Sequence, residues 1–207
     1  PEFVADLHQL FLVLRKEVKE PDFKHLLVPR FNLVPRLQEL LEFERQEALA
    51  GRKARVILKM NALQDIAMIK ELYRASEAGV QIELIIRGIC CLIPNQSYSN
   101  NIRITRIVDR FLEHARVWYF YHGGKENLFI GSPDWMRRNL YRRIEVVTPV
   151  LNKTLKQEMM TMLDIQLHDN CKATWVDDNL QNLRKGGGQI LRAQDVFYMY
   201  LKQKNLR

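Results

Sequence analysis

The chain has 207 residues, 47% of them hydrophobic, enough for one large folded domain or one domain with an appendage. Its formal net charge of +8 points toward acidic partners, although such a surplus also serves solubility. No apolar run approaches the ~20 residues that cross a bilayer, no signal peptide is visible, and Cys90, Cys91 and Cys171 offer neither metal-ligand spacing nor an even disulfide set.

Residues 3–18 place Val4, Leu7, Leu10, Phe11 and Leu14 at helical spacing, and Glu20-Pro21-Asp22 ends that element. Leu26-Leu27-Val28 is a short strand candidate. Asn32 and Pro35 open a second helix, which runs through Leu37, Leu40, Leu41 and Phe43 to a stop at Gly51. From Ala54 an α/β rhythm sets in, with a strand at Arg55–Met60, a helix at Asp65–Ala78 closed by Gly79, and a strand at Val80–Ile86. Strand, helix and strand in this spacing form a parallel crossover unit, whose binding groups collect beyond the carboxyl ends of the strands. Asn61 and Arg87 stand at those ends.

Further on, Ile104, Ile107, Val108, Phe111 and Leu112 recur at helical spacing, which predicts a short amphipathic helix over 105–113, with 102–105 open to a strand reading. Val117 to Tyr121 is a β-branched and aromatic strand, and the glycines after His122 predict a hairpin turn in which that histidine is solvated. Asn127–Ile130 and Arg142–Thr148 continue the sheet, and alternation along the second puts Arg143 and Glu145 on one face. Asn152 opens a helix with Leu155, Met159, Met162 and Leu163 on its apolar side. Cys171–Val176 is a strand, Arg184–Gly188 a basic flexible loop, and Ala193–Lys204 a closing helix. Adjacent Cys90 and Cys91 read as packing residues, which fits a reducing compartment.

The stretch with the most chemistry surrounds His114. Nine basic residues stand between Arg103 and Arg143 against four acidic ones. Arginine presents a planar fork of donors that matches phosphate oxygens. An imidazole titrates near neutral pH and serves as nucleophile or general acid. Taken alone, a histidine after a helix is more often a surface or capping residue, and an arginine after a strand is more often merely exposed.

Several motifs change that balance. Arg87-Gly-Ile-Cys-Cys-Leu-Ile-Pro94, Phe111-Leu-Glu-His-Ala-Arg116, Ser132-Pro-Asp-Trp-Met-Arg-Arg-Asn139 and Tyr141-Arg-Arg-Ile-Glu-Val146 resemble the carboxyl-terminal part of the long-chain polyphosphate kinases. So do His25-Leu-Leu-Val28, Phe31-Asn-Leu33 and Lys59-Met-Asn61. The similarity runs from about Asp22 to beyond Trp175.

This resemblance implies an α/β fold of the phospholipase D type, a mixed sheet flanked by helices, with two related halves that each bring a histidine to one site. Residues 1–50 would be the trailing part of the preceding domain and its mainly helical connection, and residues 51–207 the carboxyl-terminal catalytic domain. The superfamily motif of His-x-Lys, four residues and Asp reads here as His114-x-Arg116 with Tyr121 in the last place. The Gly-Ser-x-Asn signature reads as Gly131-Ser-Pro-Asp134. Both departures argue against an ordinary phosphodiesterase.

The family transfers the terminal phosphate of ATP reversibly to polyphosphate through a phosphohistidine on the preceding half. His114 is therefore expected to take the second role, protonating the leaving oxygen or hydrogen-bonding the transferring group. Arg87, Arg143 and Arg116 are expected to contact nucleotide or polyphosphate oxygens, with Glu145 orienting a basic partner. Magnesium is expected with ATP, on ligands outside this chain. The partners implied are ATP or ADP, polyphosphate, the remaining domains and further copies of the full-length enzyme, with no specific nucleic acid. The implied location is the cytoplasm, with peripheral membrane attachment left open. The alternatives are a phospholipase D-like phosphodiesterase or nuclease, and a non-catalytic polyanion-binding module.

Overall fold

The computed structural model describes residues 2–205. In chain order the elements are α1 (Glu2–Leu14), α2 (Leu33–Leu49), β1 (Arg55–Met60), α3 (Ile66–Glu77), β2 (Gln81–Ile86), β3 (Ile102–Ile107), β4 (Arg116–Phe120), β5 (Asn127–Gly131) and α4 (Arg137–Tyr141). Then follow β6 (Val147–Pro149), α5 (Lys153–Leu167), β7 (Ala173–Val176), β8 (Asn182–Arg184) and α6 (Ala193–Asn205). The strands form one mixed sheet in the order β6-β5-β4-β1-β2-β3-β7-β8. β1, β2 and β3 are parallel, and the outer strands on both sides pair antiparallel.

Period-2 alternation divides the central strands between two cores. Val56, Leu58 and Met60 of β1 face one side, with Ile82, Leu84 and Ile86 of β2 and Trp118 and Phe120 of β4. That side is covered by α2, through Leu33, Leu37, Leu40 and Leu41, and by α3, through Met68, Ile69 and Leu72. Ile57, Ile85, Val117 and Tyr119 face the other side, against Leu163 and the methionines of α5. Strands buried on both faces need helices on both faces. The α2 helix, read from the sequence as part of a connecting segment, thus packs in the same core as the sheet.

Local chemistry starts the helices where the sequence places them. The Asp65 carboxylate accepts the Met68 N–H at 3.0 Å, and the Asn152 carbonyl accepts the Leu155 N–H at 3.0 Å, each satisfying a donor that the first helical turn leaves free. Asn32 precedes α2 but turns its side chain back, accepting from Val28 N at 2.8 Å and donating to Leu26 O at 2.9 Å. The 26–28 segment forms a single antiparallel bridge, Leu27 to Val147, rather than a strand. It is anchored to α1 by Asp6, whose carboxylate accepts from the backbone N–H of Lys24, His25 and Leu26 at 3.1, 2.7 and 2.7 Å. Burial alone would raise the Asp6 pKa, but those three donors outweigh it and hold it below its ordinary value.

Four expectations are corrected. Residues 102–107 are a strand and 108–115 an irregular loop, so the expected helix over 105–113 is absent. In β3, Ile104 and Ile107 are buried on opposite faces of the sheet, and their three-residue separation mimics helical spacing, whereas Val108, Phe111 and Leu112 lie 67%, 63% and 68% exposed. Residues 142–146 are likewise not a strand. A helical turn, α4, precedes them, and pairing begins only at Val147, opposite Gly131. His122 is half-buried rather than solvated, its ring centroid 3.9 Å from that of Phe43. Cys90 is buried as expected, but Cys91 is exposed.

The 184–188 loop also differs from its expected character, because Arg184 ends β8 and Lys185 is anchored. Lys185 is 7% exposed, donates to Leu167 O at 2.8 Å and lies 3.6 Å from the Trp175 ring centroid. Burial pulls its ammonium down from 10.5 to about 8, against the attraction of Asp169 and Glu83. Between these two values the unfolded chain carries a proton on this lysine that the folded chain lacks, so stability rises with pH. Urea unfolding at pH 8 and pH 10 should show a gain of at most about 3 kcal/mol in the native chain that is missing in Lys185→Met. An equal gain in the variant would refute this assignment.

Candidate active site

Because β4 runs antiparallel to β1, and β5 to β4, the carboxyl ends of β1, β2 and β5 meet the amino end of β4 at one edge of the sheet. Asn61, Arg87, Gly131 and Arg116 come to a common rim from four strands. Here Gly131 is needed for close approach. A Cβ on it would lie 2.6 Å from Val147 Cγ2 and 2.8 Å from Val146 O, inside any contact that the backbone could accommodate.

The turn after Gly131 is stitched to the end of β1. Trp135 N donates to Ala62 O at 3.1 Å, and Trp135 O accepts from Gln64 N and Asp65 N, both at 2.8 Å. Beneath it, the Trp135 indole packs edge-on against Trp118 of β4, with centroids 5.8 Å apart. Asp134, 5% exposed, sits in the middle of this junction. Its Oδ1 accepts from Asn61 N at 2.8 Å, Ala62 N at 3.1 Å and Arg116 Nε at 3.2 Å, and its Oδ2 accepts from Arg116 Nη2 at 3.0 Å.

The remaining arm of the Arg116 fork reaches His114. Nη1 donates to His114 O at 2.8 Å and stands 3.0 Å from His114 Nδ1. A guanidinium has no acceptor, so Nδ1 must accept, which leaves the proton of a neutral imidazole on Nε2. The His114 side chain is exposed, with this Nε2–H as a donor.

Of the other expected residues, Arg87 is half-buried. Its Nη2 donates to the Asn61 side-chain oxygen, while its Nε is buried without a hydrogen-bond partner among the described residues. Arg143 lies exposed in the 142–146 loop with its backbone N–H bonded to Arg138 O at 2.9 Å. No hydrogen bond or ion pair among the described residues joins its side chain to His114, Arg87 or Arg116. Glu145 does not orient a basic partner. Its carboxylate accepts from Ser132 Oγ at 2.5 Å and Asn139 Nδ2 at 2.6 Å, which folds the 142–146 segment over the 132–139 turn.

Sequence reasoning passed over Lys59 and Glu113. Lys59 Nζ, buried in the sheet, donates to Glu113 Oε2 at 2.7 Å. Burial pushes the Glu113 carboxyl up, but Lys59, Gln194 and Gln166 together hold it below its ordinary value. The available signal was a lysine inside the apolar run Arg55-Val-Ile-Leu-Lys-Met60. Among the described residues no group of three His, Cys, Asp or Glu side chains could hold a metal ion, and Asp134, Glu145 and Glu113 are each occupied by protein donors.

Removing Asp134 would leave a buried guanidinium without its counter-charge, a defect worth about 3–5 kcal/mol. Denaturant unfolding of Asp134→Ala should show a loss of that size. A loss below about 1 kcal/mol would mean that the pair does not organise the rim.

The family model described as polyphosphate kinase C-terminal domain 2 matches residues 26–194. Polyphosphate kinase from Synechocystis sp. is 47% identical over 174 residues, covering 84% of this chain and 24% of the relative. That from Escherichia coli K12 is 38% identical over 200 residues, 95% of this chain and 29% of the relative. The chain thus spans 24 to 29% of the length of these curated relatives. The crystal structure of polyphosphate kinase from Porphyromonas gingivalis superposes with a TM-score of 0.96 at 48% identity, covering 98% of this chain and 32% of that one. NucT from Helicobacter pylori shares the fold alone, with a TM-score of 0.50 at 12% identity over 69% of this chain and 93% of that one. With a family model matched over most of its length and the mixed sheet superposing almost completely, the chain belongs to the polyphosphate kinase family, whose carboxyl-terminal domain it contains.

Proposed function

We propose that this chain is the carboxyl-terminal catalytic portion of an enzyme that moves the terminal phosphoryl group of ATP reversibly onto polyphosphate. The observation that carries this reading is the guanidinium at His114 Nδ1. A histidine nucleophile needs a free lone pair at its attacking nitrogen and an acceptor behind the other one. His114 has a donor behind it and a proton in front. It suits hydrogen bonding to an anionic phosphoryl or leaving oxygen.

In this reading the nucleophile is a histidine outside these 207 residues. The bond between the β–γ bridging oxygen and the γ-phosphorus of ATP breaks, ADP leaves with the bonding pair, and the phosphoryl group passes to that histidine. It then passes to the terminal oxygen of a polyphosphate chain. The Nε2–H of His114 stabilises charge on the moving group in both steps. Arg87, steadied by Asn61, and Arg143, exposed on its loop, bind phosphate oxygens of nucleotide or polymer. Arg116 contributes field, but its donors are committed to Asp134 and His114, so its main task is presenting the imidazole.

Magnesium would travel with the nucleotide, on ATP phosphates and on side chains outside this chain. We take residues 1–50 as the connection from a preceding domain, residues 51–207 as the catalytic domain, and the working form as an oligomer of the full-length enzyme. No helix among the described residues is long and apolar enough to cross a membrane. ATP as substrate and free thiols at Cys90, Cys91 and Cys171 accord with a cytoplasmic site of action, with peripheral attachment to a membrane compatible.

The test uses the chain extended upstream as in its relatives, with labelled ATP and magnesium. Acid-insoluble polymer is expected from the native protein, with turnover lowered on the order of 100- to 10,000-fold in His114→Ala. Arg143→Ala should raise KM more than it lowers kcat. Diester cleavage that depends on His114, with no polymer, would make the protein a phosphodiesterase. Salt-sensitive polyanion binding unchanged in His114→Ala, without either activity, would make it a binding module.

A further inference from the structure

His114 lies in a loop with no helix or strand of its own, yet that loop is held from three other elements. Glu113 Oε2 accepts from Lys59 Nζ of β1 at 2.7 Å and from Gln166 Nε2 of α5 at 2.9 Å, and its Oε1 accepts from Gln194 Nε2 of α6 at 2.8 Å. Gln194 also closes on the Phe111 peptide as a neighbouring strand would. Its Oε1 accepts the Phe111 N–H at 3.0 Å, and its Nε2 donates to Phe111 O at 2.9 Å. Two residues earlier on both segments, the Arg192 fork, just ahead of α6, grips Asp109 through Nε at 2.8 Å and Nη2 at 2.6 Å. The start of α6, more than 80 positions downstream, therefore secures the loop at Asp109, Phe111 and Glu113.

Stability alone does not account for this arrangement. Lys59 is 2% exposed and stands on the face of β1 that carries Ile57, against α5. An apolar side chain there would be about as stable as a buried ion pair, because the charges lose as much on leaving water as they gain from each other. What the pair adds is direction: with Glu113 fixed inward, the next residue on the chain is turned outward. We propose that Glu113, gripped by Lys59, Gln166 and Gln194, is the positioning residue that fixes His114 from the chain side, complementing Arg116 on the ring side. The proposal rests on the reading of His114 given above. It brings Gln194 and the start of α6 into the machinery of the site, with no contact to substrate.

A double-mutant cycle in the upstream-extended enzyme separates positioning from general support. Gln194→Ala and Glu113→Gln are each made in the native and in the His114→Ala background, and kcat and KM for ATP are measured. In the native background each should lower kcat by about 10- to 100-fold with KM changed by less than about threefold. In the His114→Ala background neither should lower it further, because a misplaced imidazole costs nothing once the imidazole is gone. Equal losses in both backgrounds would overturn the proposal and leave a structural strut, as would native kcat in both single variants. Should Glu113→Gln fail to fold, Gln194→Ala, at a half-buried position, carries the cycle. If His114→Ala alone retains native kcat, the reading of His114 fails first and takes this proposal with it, an outcome distinct from additive loss in a slow His114→Ala enzyme.

Discussion

One buried ion pair, Arg116 with Asp134, organises the edge of the sheet that carries the candidate site. The carboxylate joins the end of β1, through Asn61 N and Ala62 N, to the start of β4, through the guanidinium, from a turn that follows β5. The guanidinium uses its donors on two sides, Nε and Nη2 toward Asp134 and Nη1 toward His114. An ammonium could not divide itself in this way, because it offers a point charge rather than a fixed fork. Arg116 and Asp134 are thus partners. Each supplies what the other requires, a planar donor array for one and a full negative charge for the other.

Around that pair the site is built in layers of decreasing burial. Trp118 and Trp135 lie beneath it, fully enclosed, and fix how close the 132–136 turn comes to the sheet. Asp134 and the Arg116 stem occupy the next level, and His114 the exposed rim. Groups whose position matters are therefore held by groups that cannot move. Groups proposed to meet phosphate are left with free donors at the surface, Arg87 Nε excepted, which is buried and unpartnered next to Asn61.

The central βαβ unit was legible because its signals agree: β-branched runs in β1 and β2, an Asp65 cap, and Gly79 after α3. The rim at the carboxyl ends of those strands followed from the same rhythm, and with it Asn61 and Arg87. Two segments misled. Ile104 and Ile107 belong to a strand and are buried on its opposite faces, but two isoleucines three positions apart also fit a helix, and Phe111 and Leu112 extend that pattern although they are exposed. Arg142–Val146 has strand composition but is bent by the bonds of Glu145 to Ser132 and Asn139, contacts that no local pattern encodes. Lys59, Gln166 and Gln194 lay beyond reach for the same reason, since they meet Glu113 across 54, 53 and 81 positions of chain.

Whether Arg116 presents the imidazole turns on which nitrogen of His114 carries the proton. Nitrogen-15 NMR of the histidine-labelled chain, with the His114 resonances assigned by their loss in His114→Gln, reads this without any assay of turnover. The geometry at Arg116 predicts that the neutral form of the ring carries its proton on Nε2, with Nδ1 accepting, and a shift toward mixed tautomers in Arg116→Ala. A ring protonated at Nδ1 in the native chain, or one indifferent to Arg116, would contradict the account.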